Sequence, residues 1–162
     1  MRTDLEPSGL RWGVAACMDC RVGRLAAVLT DAGDGEPAVS LMLAYSPQGS
    51  GIATALPIIV HPAELRQVAD MLDRAAERFR AMPPCEPAEP LRLLARGHGL
   101  TVRGANLGAG EGLAVVARRR PVQRLIMPGE ALPSLAAVAR ESHLKITKAA
   151  SFIDMPANAV RH

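Results

Sequence analysis

At 162 residues, with 49% apolar against 22% charged side chains, the chain can bury a core as one domain or two small ones, which excludes an intrinsically disordered protein. Three cysteines are an odd number and too few for a disulfide framework, and no stretch approaches the roughly 18 apolar residues of a membrane span. The net charge of +3 hides a split: residues 1–89 carry 8 basic against 12 acidic side chains, whereas residues 90–148 carry 10 against 3.

In chain order, "MRTDLEPSGLRW" lacks the apolar run of a targeting signal, so a reducing cytoplasm is the expected home. "LRWGVAACM" from Leu10 and "VGRLAAVLT" from Val22 read as strands joined by "DCR". "DAGDGE" (31–36) is a hairpin signal, because Asp-Gly and Gly supply the positive φ of tight turns. "PAVSLMLAY" predicts a third strand, "SPQGSG" (46–51) a turn, and "IATALPIIV" a fourth strand in which Pro57 marks an edge or bulge. Pro62 then suits the first turn of a helix over about 62–81 that covers one face of the sheet. Leu65, Val68, Ala69, Leu72, Ala76 and Phe79 share one side of it, with the charged residues on the others.

"MPPCEPAEP" (82–90) holds four prolines in nine residues and predicts a semi-rigid linker. Beyond it, "LRLLARG" suits a strand or one helical turn, while "LTVRGANLG", "GLAVVARRR" and "VQRLIM" read as strands with "GAGEG" as a hairpin turn. Pro128 and Gly129 open a helix to about His143; "LKITK" suggests a last strand before a docked or frayed tail. The two halves echo one another. At an offset of 67, Ile58/Leu125, Ile59/Ile126, Val60/Met127, Leu65/Leu132, Val68/Leu135, Ala69/Ala136 and Met71/Val138 pair apolar with apolar, which predicts an internal duplication.

No motif names a reaction. Cys17-Met-Asp-Cys20 lacks the second pair of a zinc site, and extended chain would put its thiols on opposite sheet faces. His61, His98, His143 and His162 have no partner at metal-binding spacing. The glycine run "GHGLTVRGANLGAGEG" (97–112) is followed by a strand rather than a helix, so hairpin turns explain it better than a phosphate loop. There is no G-x-S-x-G, and the carboxylates gather on the first helix and in turns. A through-space site around His98 or the cysteines is the remaining enzymatic alternative; otherwise the expectation is a non-enzymatic protein with no cofactor and no metal.

The positive signal is basic. Arg118, Arg119, Arg120 and Arg124 flank Pro121 where two predicted strands join, and Arg92, Arg96, Arg103, Lys145 and Lys148 lie in the same half. Guanidinium groups on a sheet suit phosphate through bidentate hydrogen bonds and counterion release. The bland alternative is a solvated edge guarded by charge. The rival function is a protein-interaction or scaffold module whose basic half docks an acidic surface, including that of another subunit.

Four meandering strands closed by one helix, written at 11–79 ("RWGVAACMDC…RAAERF") and more loosely at 91–144, resemble the Whirly-type single-stranded nucleic-acid binders, a group that includes the paired Pur-alpha repeats. The resemblance implies an α+β fold of two antiparallel β-meander-plus-helix repeats packed as an intramolecular pseudo-dimer. It implies too a regulatory protein, in transcription for example, that grips single-stranded DNA or RNA. Such binders stack bases on aromatic rings, and here only Trp12 and Tyr45 could serve. The expected organisation is a first, acidic repeat over 8–82, a linker over 83–90, a second, basic repeat over 91–148 and a tail over 149–162. The expected phosphate contacts are Arg118, Arg119, Arg120 and Arg124, with Arg103 and Lys145 as weaker partners; a homo-oligomer is expected through an apolar helix pair or sheet edge.

Overall fold

The computed structural model describes residues 13–31, 35–45, 53–54, 57–86, 89–108 and 111–160, the side chains of 45, 53, 54, 111 and 148–160 excepted. Leu10 to Trp12, residues 32–34, 46–52 and 109–110, where turns were expected, and residues 161–162 lie outside that description. The first half is an antiparallel meander of β1 (Gly13–Cys20), β2 (Gly23–Asp31) and β3 (Pro37–Tyr45). β4 (Ala53–Thr54) and β5 (Ile58–Val60) both pair with β3, where one fourth strand was expected, and β5 begins just after Pro57, which has no N–H to give to a ladder. The β1–β2 connection is shorter than "DCR" suggested: Asp19 and Cys20 belong to β1 and only Arg21 and Val22 form the turn. A single 3-10 turn, Pro62–Glu64, then feeds α1 (Leu65–Ala81), with the His61 ring accepting from the Ala63 amide at 3.1 Å.

The second half repeats the plan: β6 (Arg92–Gly97), β7 (Leu100–Gly108), β8 (Glu111–Arg118), β9 (Gln123–Pro128), a 3-10 turn (Gly129–Ala131) and α2 (Leu132–Val160). "LRLLARG" is thus a strand. The first part of the glycine run is the β6–β7 hairpin, where His98 and Gly99 take φ values of 55° and 74°, the two successive positive angles that a two-residue hairpin turn requires. "LKITK" is not a strand but the middle of α2, and 149–160 continues the helix rather than fraying from it. The physical reason is that nothing stops the helix where the tail was expected to begin: no glycine follows Gly129, and after Pro133 in the first turn the next proline is Pro156. Ile146 accordingly packs against the core.

The protein is therefore an α+β fold of two meander-plus-helix repeats, and the halves interlock. α1 was expected on the sheet it follows, yet the strands it runs closest to are β6 and β7 of the other half, while α2 lies along β1 and β2. Phe79, near the end of α1, fills a hollow lined by Gly104, Gly112 and Gly129, where an added Cβ would meet its ring at each position. Arg78 fixes the same helix by donating to the Leu94 carbonyl at 2.8 Å. One continuous core results, running from Leu25, Leu41 and Ile58 through Leu65 and Leu72 to Leu100, Leu125 and Leu135. The proline-rich linker is part of the body: Cys85 donates to the Asn106 carbonyl at 2.6 Å and the Asn106 side chain to the Met82 carbonyl at 2.8 Å. The helices themselves are tied by Arg140 of α2, which reaches Asp70 and Asp73 of α1 at 2.8 and 2.7 Å. Among the described residues no helix is long and apolar enough to cross a membrane.

Candidate nucleic-acid interface

Strand register decides which arginines share a surface. In β7, β8 and β9 the buried side chains Val102, Ala114, Val116, Leu125 and Met127 face the helices, so their alternates face outward. Across the sheet this aligns Arg96, Thr101, Ala117 and Arg124 in one outward row, and Leu93, Arg103, Val115 and Ile126 in the next. Four strands about 4.8 Å apart put roughly 14 Å between the backbones of Arg96 and Arg124. A bulge in β6 makes the rows possible: Leu94 and Ala95 are both buried, the register shifts between Leu93 and Ala95, and residues three apart thereby reach the same face.

Arg119 and Arg120 are exposed in the β8–β9 turn, at the end of the sheet where the row of Arg96 and Arg124 lies. Among the described residues no carboxylate stands within ion-pair distance of Arg96, Arg103, Arg119, Arg120 or Arg124. The first sheet differs. Its outward Arg24 pairs with Asp19 at 2.9 Å, and that hydrogen bond holds the Arg24 guanidinium above its ordinary value. Arg96, Arg103 and Arg124 on the open sheet face, with Arg119 and Arg120 at its end, thus carry no described counter-charge and form a surface able to chelate phosphate oxygens bidentately.

The other expected contacts are placed differently. Arg118 turns inward: its guanidinium donates to the Ile59 carbonyl at 2.9 Å, and its Nε is buried without a partner. Gln123, paired with Arg118 across β8–β9, accepts from the Ile59 amide at 3.0 Å. Together they hold the β5 edge of the first sheet against the second. Lys145 lies on α2, away from the sheet face, in an ion pair with Glu141 at 3.2 Å. Trp12 lies outside the described residues, and Tyr45 is placed only as the last backbone position of β3. Arg96 and the aliphatic residues Leu93, Val115 and Ile126 were not expected in the site; strand alternation gives Val115 and Ile126 once Arg103 is placed, whereas the bulge hides Leu93 and Arg96.

For other chemistry the described residues offer little. No three His, Cys, Asp or Glu side chains among them converge as a metal site, and His98 is an exposed turn residue. Comparison with family models, with curated proteins and with solved structures finds no match to this chain.

Proposed function

We propose that this protein binds single-stranded nucleic acid, as a regulatory rather than a catalytic partner, on the outward face of its second sheet. Arg96, Arg103, Arg119, Arg120 and Arg124 hold phosphates there, and Arg118 is left out because Ile59 occupies its guanidinium. The observation that carries the reading is the set of five exposed arginines with no described carboxylate beside them, in a molecule whose outward Arg24 on the first sheet is paired. A surface left cationic in this way repels its own kind and attracts a polyanion.

The test is fluorescence anisotropy of a labelled strand of about 20 nucleotides, with R119A/R120A beside the native chain. Five phosphate contacts on a single strand give a log-log salt slope near −3.5, so affinity should fall about 100-fold between roughly 50 and 200 mM salt. Removing Arg119 and Arg120 should flatten that slope by about 1.4. Absence of binding at the lower salt rejects the proposal, and an acidic protein surface then becomes the better partner for the same arginines.

A further inference from the structure

Between the arginines lies a second chemistry. Leu93 and Ile126 keep 41% and 49% of their surface exposed, at the two ends of a row whose middle is Arg103 and the half-buried Val115. Set beside unpaired arginines, these side chains offer apolar contact to whatever the arginines hold. The unpaired guanidinium groups of Arg103 within the row, and of Arg96 and Arg124 in the row beside it, restrict that occupant to a polyanion. A face of four strands, roughly 14 Å across, is too broad to enter a major groove about 12 Å wide, so a duplex would lay only sugar and phosphate over Leu93 and Ile126. A single strand can turn its bases onto them while its phosphates reach Arg96, Arg103 and Arg124. No residue of either row is aromatic, so base stacking on a ring is not on offer here, and what the row rewards is apolar area on the base edge. Among the bases only thymine carries a methyl group on that edge.

We infer that the Leu93–Val115–Ile126 row reads the thymine C5-methyl, which makes the ligand of this face thymine-rich single-stranded DNA rather than RNA. The inference rests on the nucleic-acid reading above and deepens it. Phosphate contacts supply affinity that is blind to sequence, whereas a methyl fully covered by aliphatic side chains is worth about a fourfold gain. Three strand-to-strand steps leave room for two or three bases, but side chains interrupted by Arg103 cover each methyl only in part, so the cumulative preference stays modest.

The experiment compares oligo-dT with oligo-dU of the same length, which share sugar and phosphates and differ only in the C5-methyl, and adds oligo-dA. The native chain should bind oligo-dT about three- to tenfold more tightly than oligo-dU at one salt concentration. L93S/I126S, both on the exposed face, should bring the two affinities together while leaving the salt slope as it was. Circular dichroism of the variant on heating checks that the fold persists, and V115T serves as the milder substitution if it does not. Equal affinity of the native chain for both strands overturns the methyl reading and leaves the phosphate grip standing. Failure to bind either strand overturns both. A preference that survives in L93S/I126S, or a native dimer that this variant splits in sedimentation, also overturns the inference, because the row is then not where the base is read.

Discussion

Arg118 and Gln123 face one another across β8 and β9 and between them satisfy both backbone groups of Ile59, as a neighbouring strand would. An edge strand left open is a template for pairing with another chain, so these two side chains close the β5 edge inside the molecule. Arg118→Ala should therefore destabilise the fold by about 1–3 kcal/mol, the loss of a charge-assisted hydrogen bond to a part-buried carbonyl, and leave the salt slope of strand binding unchanged. Denaturant unfolding beside the salt titration separates this from Arg119→Ala, which should do the reverse. The sequence 118–120 presents three identical letters, and only strand parity distinguishes them: Ala114, Val116 and Arg118 point inward, and the strand ends there. The basic cluster was therefore legible, but the division of labour within it was not, since that depends on where β8 stops.

The hollow around Phe79 shows why a helix can be foreseen and its partner sheet cannot. Its place on the apolar side of α1 follows from helical spacing, while Gly104 and Gly112 read as part of a hairpin run and Gly129 as the opening of a helix until β7, β8 and the 3-10 turn carry them under the ring. Gly112→Ala should drive a methyl into the Phe79 ring and destabilise by about 1–3 kcal/mol or more. Adding Phe79→Leu should recover part of that loss, because the two sites share one cavity, and a double-mutant cycle read by denaturant melts measures the coupling. The bulge in β6 marks a similar limit. Counting by twos sends Leu93 and Arg96 to opposite faces, and the extra residue that reunites them carries no signature in "LRLLARG". α2 was foreseen too short because Thr147 and Ile146 favour strands locally, while the helix needs only that no glycine or proline break it between His143 and Met155.

The strand–3-10–helix corner is where duplication was most legible. Pro62–Glu64 and Gly129–Ala131 are 67 residues apart, as are the starts of α1 and α2. The same offset relates Asp73 to Arg140, which meet at 2.7 Å, so a residue touches its own counterpart as it would on the two-fold axis of a dimer. Identical subunits would oppose like charges there; two halves of one chain can differ, and these carry opposite signs. The hydrogen bonds that Arg140 donates to Asp70 and Asp73 hold its guanidinium above its ordinary value. Its contribution is accordingly complete below the unfolded arginine value and is lost only as pH rises beyond it, so the guanidinium adds no pH dependence near neutrality. These side chains are half exposed, which discounts the pair: Arg140→Asp should lower stability by roughly 1–2 kcal/mol, less at high salt, and Asp73→Arg in the same chain should return part of it in a thermal melt. The exchange of helices has a consequence during synthesis. When α1 leaves the ribosome, β6 and β7 have not yet been made, and Leu65, Val68, Leu72 and Phe79 have no sheet to cover. At about 5–20 residues per second that apolar stripe waits several seconds for translation to reach β7, so the nascent first half is the stage at which this protein most needs a chaperone.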